Sequence, residues 1–129
     1  HLLLPERVSF AQTDRYDPEP ESTKGRWENT WHLTAETVSP ARGAQFLAVM
    51  LPHRDGKEAM LPKVELVRGT GGVGVRLTAA DGARDLVAFR TEPKAAVFSC
   101  DGVESNGQVF AQGTDKDGQV VRRFTHPRQ

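Results

Sequence analysis

The feature that most constrains this chain is its punctuation. Asp81-Gly82, Glu92-Pro93, Asp101-Gly102, Asn106-Gly107 and Asp117-Gly118 succeed one another at short intervals and separate brief apolar runs. Aspartate-glycine and asparagine-glycine accept the positive φ that a tight hairpin demands, so each such pair marks the chain turning back on itself. Turns that recur roughly every 8–12 residues are the spacing of sandwiches and barrels. No stretch of about eleven residues carries apolar side chains at helical spacing without a glycine or proline breaking it. The twelve glycines and eight prolines fit this pattern, because tight turns need positive or preset φ. The expectation is an all-β fold, an antiparallel β-sandwich of two packed sheets with about eight or nine strands.

The strands can be placed from alternation. Trp31, Leu33, Ala35 and Thr37 alternate with His32, Thr34 and Glu36, which puts the tryptophan side inward on a half-buried strand. Phe46 to Leu51, FLAVML, has no polar alternation and ends at Pro52, so it reads as a central strand covered on both faces. Val64 and Leu66, then Val73, Val75 and Leu77, alternate on either side of a glycine cluster. Further strands are expected at Leu86–Arg90, Ala95–Ser99, Gln108–Gln112 and Gln119–Phe124.

Composition sets the outer limits. A chain of 129 residues is sized for one domain, read here as residues 1–129 with a proline-rich loop over about 12–25. Seventeen basic residues balance seventeen acidic ones, so no overall field favours nucleic acid or an anionic membrane as a partner. Cys100 is the only cysteine, which excludes an internal disulfide and a cysteine zinc site. The FLAVML run falls far short of the roughly 20 apolar residues of a spanning helix. The opening HLLLPER lacks the basic region, apolar run and cleavage site of a signal peptide.

Several motifs suggest chemistry that their surroundings deny. Gly69-Thr70-Gly71-Gly72-Val73-Gly74 matches G-x-G-x-x-G, yet a dinucleotide site needs a helix to start there and present its N-terminus to the pyrophosphate. The chain instead continues into the β-branched run VGVRLT, so the cluster is read as a hairpin loop. Asp115-Lys116-Asp117-Gly118 has part of a calcium loop but not its later ligands, and reads as a turn. No G-x-S-x-G elbow is present, and Cys100 has no histidine near it in sequence, so no nucleophile is assigned and no catalytic residue is expected. His1, His32, His53 and His126 show no metal-ligand spacing, and no metal or cofactor is assigned. One alternative starts at residue 1: a free His1 amino group and ring, with a second histidine, would suit copper in a stand-alone enzyme that cleaves polysaccharide oxidatively.

Two clusters combine aromatic and basic side chains: Arg26-Trp27 with Trp31-His32, and His53-Arg54. Sugar rings present C–H groups to flat aromatic faces, and planar guanidinium groups suit hydroxyls, carboxylate or sulfate. Arg26, Trp27, His53 and Arg54 are therefore the candidate ligand-binding residues. Trp31, which shares the side of Leu33 and Ala35, is assigned to the core.

The segment RWENTWHLTAETVSPARGAQFLAVMLPHRDG, Arg26 to Gly56, resembles the closing portion of heparinase II/III-like polysaccharide lyases. A W-H-L strand, a Thr-x-x-Pro-Ala turn and an "FL-V-L-P-x-R" strand recur there. The preceding DRYDPEPE and the later LPKVELVRGTGGVGVRL and DLVAFR continue the likeness over roughly positions 7 to 90. In such lyases a helical toroid carries most of the chemistry, and this chain has neither the length nor the helical periodicity for one. The resemblance implies a non-catalytic accessory β-sandwich module of a polysaccharide-degrading protein. That module binds carbohydrate, acidic glycans included, or supports a catalytic lyase domain, in a periplasmic or extracellular setting. A purely structural interaction domain is the remaining alternative.

Overall fold

The computed structural model describes residues 1–13, 32–39 and 42–127. Eleven strands occur among them: β1 (Leu2–Leu4), β2 (Val8–Thr13), β3 (His32–Thr37), β4 (Leu47–Ala48), β5 (Lys63–Gly69), β6 (Gly72–Thr78), β7 (Arg84–Arg90), β8 (Phe98–Cys100), β9 (Val103–Ser105), β10 (Val109–Thr114) and β11 (Val120–His126). Every strand pair is antiparallel. The only helical element among the described residues is a single 3-10 turn at Glu58–Met60. No helix among them is long and apolar enough to cross a membrane. The chain is thus all-β.

The described residues fall into two compact units, Leu2–Val49 and Met50–Gln129, the latter also taking in His1. In Leu2–Val49, β1 pairs with β4 and β2 pairs with β3 as two separate ribbons. Phe10 lies opposite Ala35, and Gln12 opposite Leu33, so these residues share a face. That face is open: Leu33 is 68% exposed and Phe10 58%. The inward side expected from the alternation is therefore not a core at Leu33, and Trp31 itself lies outside the described residues. FLAVML also departs from expectation. Its strand is only Leu47–Ala48, paired to β1 alone, with Phe46 55% and Met50 90% exposed. An apolar run becomes a central strand only where strands flank it on both edges, and among the described residues this one has a single three-residue neighbour.

Met50–Gln129 is a two-layer structure. One layer is a five-stranded sheet in the order β11-β10-β7-β6-β5, and the other is the β8–β9 hairpin stacked on one face of it. The glycine cluster is the β5–β6 hairpin, with Gly69 opposite Gly72 and Gly71 at a φ of 63°. The calcium-like segment is the β10–β11 turn, where the Asp115 carboxylate accepts hydrogen bonds from the amides of Asp117 (3.0 Å) and Gln119 (2.8 Å). Asp101 and Gly102 both have positive φ, 51° and 77°, as a two-residue turn between twisted strands demands. Asn106-Gly107 and Glu92-Pro93 are not hairpin turns. They carry the chain between the layers, from β9 into β10 and from β7 out to β8.

The core lies between the layers. Leu86, Ala88 and Phe110 from the sheet meet Phe98 and Cys100 from the hairpin, with Val67 and Val103 packed around them. Phe98 and Phe110 are inclined at 36° with ring centroids 5.5 Å apart, inside the favourable range for aromatic pairs. The Arg90 guanidinium stands over Phe98 at 5.1 Å and donates to the carbonyls of Gly107 (2.9 Å) and Ala95. The layers approach so closely that a Cβ on Gly72 would meet the Phe98 ring, and one on Gly69 would meet the Ser99 carbonyl. Glycine is the residue that lets two backbones come this near.

Candidate functional site

Register assigns each side chain of the five-stranded sheet to one of two faces. The face under the hairpin carries Glu65, Val67, Arg76, Leu86, Ala88 and Phe110. Its polar end is an ion-pair cluster. Arg76 donates to both carboxylate oxygens of Asp101 at 2.9 Å and approaches Glu65 at 3.4 Å, while Lys63 meets Glu65 at 2.8 Å. These bonds hold the Arg76 guanidinium more firmly protonated, and the Lys63 hydrogen bond leads in drawing the Glu65 carboxyl below its ordinary range. Because Asp101 sits at the tip of the β8–β9 hairpin and Arg76 on β6, the pair fastens hairpin to sheet. Burial pushes the Cys100 thiol up, Asp101 adding to the effect, and the thiol faces the Val67 carbonyl at 3.6 Å. A buried thiol of raised pKa is a packing group.

The opposite face is apolar as well. Val64, Leu66, Val73, Val75, Val87, Phe89, Val109, Ala111 and Phe124 fall on it by register, interrupted by Asp85 and Arg122 toward one end and bounded by Arg68 and His126 at the other. Val73 and Val75 are buried, Val87 and Ala111 are half-buried, and Phe124 is 58% exposed. A shallow cavity of about 340 Å³ lies over this side, lined by Leu77, Val87, Ala111 and Phe124 among others. A second, of about 330 Å³, adjoins it through Leu77, Asp85, Gly113 and Arg122. Between them Arg122 bridges to Asp85, with Nε at 3.1 Å from Oδ1 and Nη2 at 2.7 Å from Oδ2. The bridge passes over β10 at Gly113, where a Cβ would strike the Arg122 side chain.

The candidate glycan-binding residues are divided by the structure. Arg26 and Trp27 lie outside the described residues. His53 and Arg54 stand in the loop ahead of β5, where the His53 ring meets the Leu51 carbonyl at 3.0 Å and Glu58 at 3.5 Å. The Arg54 carbonyl accepts the Lys57 amide at 3.1 Å, closing the turn, and its side chain is exposed. The His53 ring is thus engaged at both nitrogens. Among the described residues no group of three or more histidine, cysteine, aspartate or glutamate side chains is placed to hold a metal ion.

Sequence reasoning did not single out the half-open apolar face on β7, β10 and β11. Its signal was there in Val87 and Phe89, which alternate with the core residues Leu86 and Ala88. A strand apolar on both sides belongs to a sheet that offers both faces for packing. Compared with protein-family models, with curated proteins and with solved structures, the chain matches none.

Proposed function

We propose that this chain is a non-catalytic accessory β-sandwich module of a polysaccharide-degrading protein, and that its work is to pack against and support a catalytic domain. The observation that carries the supporting role is the second apolar face of the five-stranded sheet, with Phe89 and Phe124 exposed beside Val87 and Ala111. Contiguous exposed apolar surface of this kind marks a packing site more often than a sugar site, which needs flat rings flanked by polar groups. The polysaccharide setting, periplasmic or extracellular, rests on the sequence resemblance alone.

Three measurements on the full chain test the proposal. Incubation with acidic polysaccharides should release no unsaturated uronate. An apolar dye should bind the parent and bind Phe89→Gln less, with circular dichroism unchanged. Affinity gels containing acidic or neutral polysaccharide should not retard the chain. Product release would make the chain an enzyme, and retardation abolished by Trp27→Ala would move the function to glycan binding.

A further inference from the structure

Among the described residues the strand β11 ends the five-stranded sheet, and all seven of its residues are exposed. An edge strand presents unpaired N–H and C=O groups, and proteins ordinarily guard such an edge with proline, short length or projecting charge. Here the guards are weak. Pro127 lies beyond the strand, and the one irregularity in its pairing falls at the start, where Gly113 pairs with Arg122 but Thr114 with Val120. Its two arginines are drawn back over the sheet, Arg122 onto Asp85 and Arg123 onto Gln112 at 3.1 Å. Neither charge is left to stand across the edge.

The direction of the backbone groups is set by one bond. The His126 carbonyl accepts the Gln108 amide at 2.9 Å, so the polar groups of His126 face β10. By the alternation of an antiparallel ladder, those of Phe124 and Arg122 also face inward, and those of Arg123 and Thr125 face outward. Two outward residues flanking one inward residue form a self-complementary unit. A two-fold axis perpendicular to the sheet keeps each face on its own side, so it must pass through a residue paired with its own copy. Centred on Phe124, it sets Arg123 opposite Thr125 of the second copy, and Thr125 opposite Arg123. Four main-chain hydrogen bonds form, phenylalanine meets phenylalanine, and no arginine opposes an arginine. Centred on Arg123 the axis opposes like charges, and centred on Thr125 it sets Arg123 against Pro127, which has no N–H to give.

We propose that β11 pairs with β11 of a second copy of this chain across a two-fold axis at Phe124, joining two five-stranded sheets edge to edge. This pairing rests on the main chain of the sheet edge and not on the supporting role proposed above, the two sharing only the Phe124 side chain. It uses few residues, so the dimer forms at high protein concentration and dissociates on dilution.

Hydrogen exchange and sedimentation on the full chain decide it. The amides of Arg123 and Thr125 should gain protection as concentration rises, while those of Arg122 and Phe124 are protected throughout. The Phe124→Cys variant should form an inter-chain disulfide under mild oxidation, because a non-hydrogen-bonded antiparallel pair places its Cα atoms within disulfide reach. Val120→Cys, equally exposed but off the axis, should not. Thr125→Pro removes one outward amide from each copy, two bonds by symmetry, and should weaken the dimer roughly thirtyfold. If that variant misfolds, the exchange and crosslinking results on the other proteins still stand. Arg123 and Thr125 amides that exchange at the same rate at every concentration overturn the proposal, as does crosslinking of Val120→Cys as fast as Phe124→Cys. An edge protected only by an added acidic peptide would assign it to a different partner.

Discussion

Leu2–Val49 carries most of the longest apolar run in the chain, Phe46 to Val49 of FLAVML, and leaves Phe46 in solvent, whereas Met50–Gln129 builds its core from isolated residues set between turns. The contrast shows that hydrophobic content does not by itself make an interior. What Met50–Gln129 has, and the ribbons of Leu2–Val49 lack among the described residues, is a second layer laid on a sheet at glycine-contact distance.

Substitution can break this contrast or sharpen it. The largest effect should come from Phe98→Ala, which removes a ring 1% exposed that stacks on Phe110 and lies under Arg90. A loss of about 3–5 kcal/mol is expected in chemical denaturation. Phe46→Ala in the other unit should stay within about 0.5 kcal/mol. Equal losses would mean that the exposed run is a core after all.

Next in size is Gly69→Ala, whose new methyl would collide with the Ser99 carbonyl and force the layers apart, at a cost of about 1–3 kcal/mol. Gly43→Ala meets nothing within 4 Å and should be neutral or slightly stabilising in the same thermal melt. If Gly69→Ala melts with the parent, the hairpin does not rest on the sheet as described.

The Arg76–Asp101 fastening should matter less, since both side chains are about a third exposed and solvent screens the pair. Asp101→Gly keeps the positive φ of the turn while removing the carboxylate, and should cost about 1 kcal/mol. Asp101→Ala adds backbone strain and should cost more. Equal melting temperatures for the two would mean that the turn imposes no such strain.

The smallest effect is the pH response of Glu65. Its carboxyl is depressed in the fold, so its contribution is present above the unfolded-state pKa and is lost as pH falls through the folded one. Glu65→Gln should therefore melt slightly below the parent at neutral pH and converge with it in acid, which flattens the fall in melting temperature on the acid side. A flattening on the alkaline side would contradict the sign.

How much of this was legible in sequence depended on what each signal encodes. Aspartate-glycine at 81–82, 101–102 and 117–118, and the glycines from Gly69 to Gly72, specify local turn geometry, and each lies at a hairpin turn of the structure. Asn106-Gly107 carries the same local chemistry but joins two layers, and no property of the dipeptide distinguishes the cases. The strand β9 was hidden for the same reason, its three residues squeezed between two turn signals. FLAVML misleads because burial depends on what stands opposite, which a run of apolar letters does not state. Of the candidate glycan residues, only His53 and Arg54 fall among those described. The apolar face was readable only with register in hand, since Val87 and Phe89 are completed by residues on the two flanking strands, β6 and β10.

The chain leaves the sheet after β7 and returns at β10, and these two strands are themselves neighbours, with the Arg90 amide bonded to the Gln108 carbonyl at 2.9 Å. The whole β8–β9 excursion is thus pinched shut at its base, like a stopper on a short neck. The sheet's connectivity would survive its replacement by a simple turn, but Phe98 and Cys100 would go with it. The frame thus supplies Leu86, Ala88 and Phe110 to the core, and a detour that its connectivity does not need supplies Phe98 and Cys100.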